Sequence, residues 1–265
     1  MRLKLVGRAA VLTALLLLMT SQNAAAITYG QPDGNLHPNV GAMIRLRADG
    51  VYRTLCSGSL ISPTVFLTAS HCTTFLEDQG ITDTWVTFDS TFTQSSTRIH
   101  GTMHSNPLYS QRQSDTGDIA VIVLDEAVNL TPVQLPSAGL LDQMKANRTL
   151  NNTLFTSVGY GVQEPVRGPG GITNPFPMQR WYAAGEFDAL NKAWLRISQN
   201  QATGDGGTCS GDSGGPQFLG GGATETNTQV SITITGDVFC FATNVDYRID
   251  TPQARAFLGQ YVTLP

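Results

Sequence analysis

The sequence predicts an all-β fold of the sandwich or barrel kind, as one large unit or two small packed ones, closed by a C-terminal helix. Three observations carry this. The apolar stretches are short. They are separated by turns that draw on 27 glycines and 13 prolines. After a connection at Pro132 to Pro136, the second half of the chain repeats the same pattern of short strands and turns.

Taken in order, residues 1–26 read as a secretory signal. Arg2, Lys4 and Arg8 form a basic start, Ala9 to Met19 an apolar run, and Ala24-Ala25-Ala26 a small-residue cleavage site. The apolar run is too short to span a bilayer, which takes about 20 apolar residues, and no later stretch approaches that length. The expected mature chain, residues 27–265, is therefore secreted (extracellular or periplasmic), a monomer, and free of the membrane. Losing three basic residues takes the formal net charge from −4 to −7. No basic run survives, which excludes a nucleic-acid partner. Four cysteines in an exported chain imply two disulfides with three connectivities open, and none forms a Cys-x-x-Cys pair.

Val40 to Leu46 and Val51 to Leu60 are expected as strands around the turn Ala48-Asp49-Gly50. Ser62-Pro63 breaks the chain before a third strand, Val65 to Ala69, which delivers Ser70-His71-Cys72. A histidine at the end of an apolar strand, beside a cysteine, is held rigidly. A Cys56–Cys72 bridge would close a short loop over it, worth about 3 kcal/mol in the chain-entropy model. Trp85 to Phe88 and Thr97 to Met103 follow as strands. Gly117-Asp118 then leads into six apolar residues, Ile119 to Leu124. An aspartate at the mouth of a buried strand has to be paired, and a histidine ring N–H is its natural partner. Asp115 reads instead as an exposed turn acid.

A subdomain boundary is expected near Asn129. Beyond it, strands are expected at Thr153 to Tyr160, Met178 to Phe187, Ala193 to Ser198, Pro216 to Leu219, Gln229 to Thr235 and Asp246 to Ile249, then a helix from Pro252 to Val262. Glu164 to Pro177 and Gly220 to Asn227 read as mobile surface loops. Glu77, Asp78 and Asp83 are better read as a solvated acidic loop than as calcium ligands, and no metal or cofactor is expected. Asn129, Asn147 and Asn151 each head an Asn-x-Ser/Thr sequon.

The most chemically pointed stretch is Cys209-Ser210-Gly211-Asp212-Ser213-Gly214-Gly215-Pro216. Glycines around one serine allow backbone N–H groups to converge on charge developing next to its hydroxyl. A serine nucleophile needs a base. His37, His71, His100 and His104 all precede Ser213, which excludes the α/β-hydrolase order, where the histidine follows the nucleophile.

His71, Asp118 and Ser213 therefore run in the order His, Asp, Ser. With Ser70-His71-Cys72, Gly117-Asp118-Ile119-Ala120 and Gly211-Asp212-Ser213-Gly214-Gly215-Pro216, the mature chain resembles the chymotrypsin (trypsin-like) family of secreted serine proteases. The resemblance implies two packed six-stranded antiparallel β-barrels, about 27–129 and 130–250, with a C-terminal helix at about 251–262. It implies that Ser213 attacks a peptide carbonyl, that His71 moves the proton and that Asp118 orients His71. It further implies an oxyanion hole from the N–H groups of Gly211 and Ser213, and a Cys209–Cys240 bridge bracing the specificity pocket. Ile27 looks like the mature N-terminal residue whose ammonium meets Asp212, so that export alone would mature the enzyme. At the pocket base the family's basic-specific members carry an aspartate where this chain has Gly207, followed by Thr208. This favours apolar P1 residues. Thr235-Gly236-Asp237 matches the pocket wall poorly, and Asp237 or Asp246 would favour basic P1 residues if either faced inward. The competing reading is a catalytically silent relative that uses the same fold as a binding module; an esterase activity would use the same machinery.

Overall fold

The computed structural model describes residues 27–265; the expected signal segment, 1–26, lies outside the described residues. The chain begins with a short strand, Gln31–Pro32 (β1), and then builds a first barrel from Val40–Leu46 (β2), Tyr52–Ser62 (β3), Val65–Thr68 (β4), Asp83–Thr87 (β5), Ile99–Ser105 (β6) and Ala120–Leu124 (β7). These close antiparallel in the order β2-β3-β4-β7-β6-β5. Leu60, Phe66, Leu67, Val86, Met103 and Ile122 fill its interior. Gly58 is glycine for a packing reason: a Cβ there would lie 2.3 Å from the Leu67 carbonyl oxygen and 2.4 Å from the Phe66 ring.

The second barrel uses Leu154–Gly159 (β8), Trp181–Leu190 (β11), Trp194–Ser198 (β12), Pro216–Leu219 (β13), Gln229–Gly236 (β14) and Thr243–Arg248 (β15), with a small hairpin of Val166–Gly168 (β9) and Gly171–Thr173 (β10) between β8 and β11 in the chain. The order β11-β12-β15-β14-β13-β8 closes through β8 on β11, and β1 adds to the free side of β11 with Gln31 opposite Tyr182. The fold is thus all-β with two closed six-stranded antiparallel barrels, as the resemblance implied.

Among the described residues, three α-helices accompany the barrels: Ser70–Glu77 (α1), Leu140–Ala146 (α2) and Pro252–Leu258 (α3). Only the last is legible in sequence. Thr251 Oγ1 accepts the Ala254 N–H and Pro252 occupies the first turn, while the helix stops before Gly259, short of the expected Val262. The expected loop at Glu164 to Pro177 holds the β9–β10 hairpin. The expected loop at Gly220 to Asn227 contains a 3-10 turn, Gly222–Thr224, and is tied down: Asn227 Nδ2 donates to the Pro132 carbonyl and Glu225 meets His37. The disulfides are Cys56–Cys72 and Cys209–Cys240.

A buried ionic clasp joins the N-terminal strap to both barrels. Arg180, wholly buried, donates from Nε to Asp33 Oδ2 (2.7 Å) and from Nη1 to the carbonyls of Val40 (2.9 Å) and Phe88 (3.0 Å). His37 stacks on Phe218 and places Nδ1 on Asp33 and Nε2 on Glu225 (2.7 Å). Desolvation alone would lower the His37 pKa, but the two carboxylates outweigh it and carry it up to about 9. Buried charges survive here because each is paired and hydrogen-bonded.

Candidate active site

His71 does not sit at a strand end, as the sequence suggested, but in the first turn of α1. The N–H groups of a helix's first turn have no partner within the helix. Asp118 supplies one: its Oδ1 accepts the His71 backbone N–H (2.9 Å), while its Oδ2 accepts the ring Nδ1–H (2.8 Å). The sequence contains no signal for this helix. It is short, rich in threonine and has no side-chain N-cap; Asp118 and the Cys56–Cys72 bridge hold it from outside.

Asp118 is itself held on both sides. Asn106 Nδ2 donates to the Gly117 carbonyl (3.0 Å), and Ser70 Oγ donates to the Ile119 carbonyl (2.7 Å). Gly117 has φ +59°, and a Cβ there would lie 2.9 Å from Asn106 Nδ2. Asp115 is not a free turn acid. It is half-buried and accepts the Tyr247 hydroxyl (2.9 Å) from the second barrel.

The loop bearing Ser213 is brought against the same disulfide. The Ser213 carbonyl accepts the Ser57 N–H (2.8 Å) and lies 3.9 Å from Cys72 Sγ. Among the described residues no hydrogen bond joins Ser213 Oγ to the His71 ring, whose recorded hydrogen bond is to Asp118. Three amides around Ser213 are engaged: Asp212 N–H donates to the Cys209 carbonyl (3.0 Å), Gly214 N–H to the Thr233 carbonyl (2.7 Å) and Gly215 N–H to the Asp212 carbonyl (2.8 Å). The N–H groups of Gly211 and Ser213 have no protein acceptor among the described residues.

Asp212 is fully buried and accepts the N–H groups of Gly161 (2.7 Å) and Cys209 (2.9 Å). Burial pushes its pKa up to about 7 against the pull of these two donors. Ile27 is equally buried, packed on Trp181 and Ala183, and Thr28 exchanges backbone hydrogen bonds with Gly207 (2.8 and 3.0 Å). The N-terminal segment is thus stitched to the loop that carries Asp212. No ion pair between Ile27 and Asp212 is present among the described residues.

Beside Ser213 lies a cavity of about 350 Å³, whose lining includes Thr208, Thr233, Ile234, Thr235, Gly236, Asp237 and Val238 together with the Cys209–Cys240 bridge. Thr208, Thr235, Gly236 and Asp237 are therefore at the pocket, whereas Gly207 and Asp246 do not line it. Gly207 is covered by the buried Gln199, whose side chain would lie 2.5 Å from a Cβ there. Asp246 points into the second barrel, where Asn244 Nδ2 donates to it (2.8 Å) and burial raises its pKa well above the ordinary value. Asp237 is the anchor of its own loop. Its carboxylate accepts the N–H groups of Phe239, Phe241, Ala242 and Thr243. Burial works upward on its pKa, but these donors leave it lowered. Sequence reasoning missed Ile234 and Gln199, which carry no local motif.

Glu77, Asp78 and Asp83 do not converge. Glu77 accepts the Ser105 hydroxyl (2.9 Å), and Asp83 faces His100 (3.8 Å). The one group of potential metal ligands found among the described residues is Cys56, His71 and Cys72, and its cysteines are bonded to each other.

Comparison with known proteins places this geometry in context. The family model described as Trypsin matches residues 34–252. Glucanase inhibitor protein 2 of Phytophthora infestans is 37% identical over 97 residues, which is 37% of this chain and 36% of that protein. The chain thus matches about a third of that relative's length. Among solved structures, HL collagenase superposes with a TM-score of 0.63 at 17% identity, covering 90% of this chain and 96% of the other. Neuropsin, a serine protease expressed in the limbic system of mouse brain, gives 0.62 at 20% identity, covering 88% and 99%. At these identities the two structures speak for the fold.

Proposed function

Because this chain belongs to the trypsin family, we propose that it is an exported serine endopeptidase. In this reading Ser213 attacks the scissile carbonyl, His71 takes the proton and returns it to the leaving amine, and Asp118 holds His71 in the tautomer that leaves Nε2 free to accept. The observation that carries it is the pair of unengaged N–H groups on Gly211 and Ser213, in a loop where the neighbouring amides of Cys209, Asp212, Gly214 and Gly215 are all satisfied. Two donors fixed beside a serine are what a tetrahedral oxyanion requires.

The pocket favours apolar P1 residues. Its walls offer threonine hydroxyls, Ile234 and Val238, and the one carboxylate among its lining residues, Asp237, is committed to four backbone donors. Export is supported by the basic-apolar-small pattern of residues 1–26 and by two disulfides, which persist in oxidising compartments. The substrates are proteins or peptides, cut by a monomeric domain of residues 27–265.

The second reading, a silent binding module, is favoured by one finding: the partial likeness to a protein named as an inhibitor. Cleavage-site profiling of a mixed peptide library by the Ile27-started protein, with Ser213→Ala as control, separates the two. Cleavage by the wild type alone, after aromatic or aliphatic residues, is expected. Cleavage after Arg or Lys would overturn the pocket assignment, and no cleavage would favour the binding module.

A further inference from the structure

We infer that Ser57, which no sequence motif marks, is the positioning residue that holds the oxyanion donors in place. The inference rests on the peptidase reading above. Ser57 lies on β3 between the bridged Cys56 and Gly58, in the first barrel, and is wholly buried. It nevertheless makes the main connection to the Ser213 loop of the second barrel. Its N–H donates to the Ser213 carbonyl (2.8 Å), and its Oγ donates to the Gly211 carbonyl (3.0 Å) while accepting the Tyr160 N–H (2.9 Å). Its own carbonyl accepts Thr68 Oγ1 (2.9 Å), which fixes Ser57 to β4.

The consequence is geometric. The peptide unit between Gly211 and Asp212 is pinned at both ends, by Ser57 Oγ on its oxygen and by the Cys209 carbonyl on its N–H. The unit after Ser213 is pinned in the same way, by Ser57 N–H and the Thr233 carbonyl. Gly211, at φ +97°, would otherwise be free to swing, since glycine occupies either sign of φ at little cost. The free N–H groups of Gly211 and Ser213 thus keep their direction because their neighbours cannot turn. Preorganised donors of this kind stabilise a developing charge without a reorganisation cost.

The space around Ser57 is shaped to admit its hydroxymethyl group. A Cβ on Gly159 would lie 3.0 Å from Ser57 Oγ, one on Gly215 would lie 3.2 Å from Ser57 Cβ, and one on Gly214 would lie 2.6 Å from the Ser57 carbonyl oxygen. Removing the hydroxyl leaves the Gly211 carbonyl without a donor and the Tyr160 N–H without its acceptor.

The experiment compares Ser57→Ala and Ser57→Gly with Ser59→Ala, all in the Ile27-started chain and below their melting midpoints. Ser59 is equally buried on the same strand and also bridges the barrels, through Gln229 Oε1 (2.5 Å), but makes no bond to the Ser213 loop. Four quantities are read: kcat, KM, the rate of Ser213 phosphonylation by a fluorophosphonate, and the affinity for a peptide aldehyde. Both Ser57 variants are expected to lose about tenfold or more in kcat with KM nearly unchanged, and to weaken aldehyde binding by the same factor. Ser59→Ala is expected to keep kcat at a comparable loss of thermal midpoint. Undiminished kcat in the Ser57 variants, or equal loss in Ser59→Ala, overturns the role of Ser57 alone. A wild type that neither cleaves peptide nor reacts with the phosphonate overturns the peptidase reading, and this role with it.

Discussion

Asp118 holds His71 at two points, taking the backbone N–H at 2.9 Å and the ring Nδ1–H at 2.8 Å on separate carboxylate oxygens. One residue thereby serves as the partner of a helix N-terminus and as the orienting group of an imidazole. Asp118→Asn keeps the first bond, through its amide oxygen, and turns the amide NH₂ toward Nδ1. The ring is then forced into the opposite tautomer. The expected outcome is a fall in kcat of about four orders of magnitude with KM little changed. Steady-state kinetics on a peptide substrate check it, and a loss below tenfold would remove Asp118 from the mechanism.

Asp212 offers a test of how the protein matures. With Ile27 joined to preceding residues, burial raises the Asp212 pKa to about 7 from an ordinary 3.8. A raised folded-state pKa contributes stability that is complete below 3.8 and lost as pH rises through about 7. In the chain that starts at Ile27, a free ammonium beside Asp212 is expected to reverse this. The carboxylate stays ionised, the decline between pH 4 and 7 disappears, and activity falls instead on the alkaline side as the α-amino group loses its proton, ordinarily near pH ~8. Denaturation curves from pH 4 to 9 on the extended and Ile27-started proteins decide the matter. Identical profiles and equal activity would contradict activation by processing before Ile27.

The clasp around His37 has a pH dependence of its own. His37 is raised from 6.5 to about 9, so its contribution is complete below pH 6.5 and lost as pH rises through about 9. Asp33 and Glu225 are lowered despite burial, by His37 and, for Asp33, Arg180; their contributions are present above their ordinary values and lost as pH falls through the lowered ones. His37→Gln should therefore be clearly less stable than wild type at pH 6 to 7, with a gap that narrows above pH 9. Urea unfolding at several pH values measures it. A gap independent of pH would reduce His37 to a packing role on Phe218.

The legible part of this molecule is the part written locally. Strands appear in sequence as short apolar runs between glycines and prolines, because a half-buried strand and its turn each need particular neighbours in the chain. His71, Asp118 and the residues from Cys209 to Pro216 stand out for the same reason, and the structure brings the first two into contact and sets the third beside their disulfide. Helix α1 was not legible, because its N-terminal N–H finds its acceptor 47 residues away in Asp118 rather than in a capping side chain. Ser57 was not legible either; it is one serine among several on β3 until the second barrel closes over it.

The aspartates near the pocket show where sequence stops. Asp212, Asp237 and Asp246 lie within 35 positions of one another and are chemically identical in the unfolded chain. Folding makes the first a buried acceptor of two backbone donors, the second the anchor of a surface loop, and the third a carboxyl sealed inside a barrel. By itself the sequence determined the alternation of strands and turns, the family and the local motifs that carry chemistry, since these depend on residues adjacent in the chain. Only the tertiary structure decided which carboxylates are spent, which N–H groups stay free and which residues line the pocket. Desolvation and hydrogen bonding are set by neighbours in space, and a low-dielectric interior amplifies their difference.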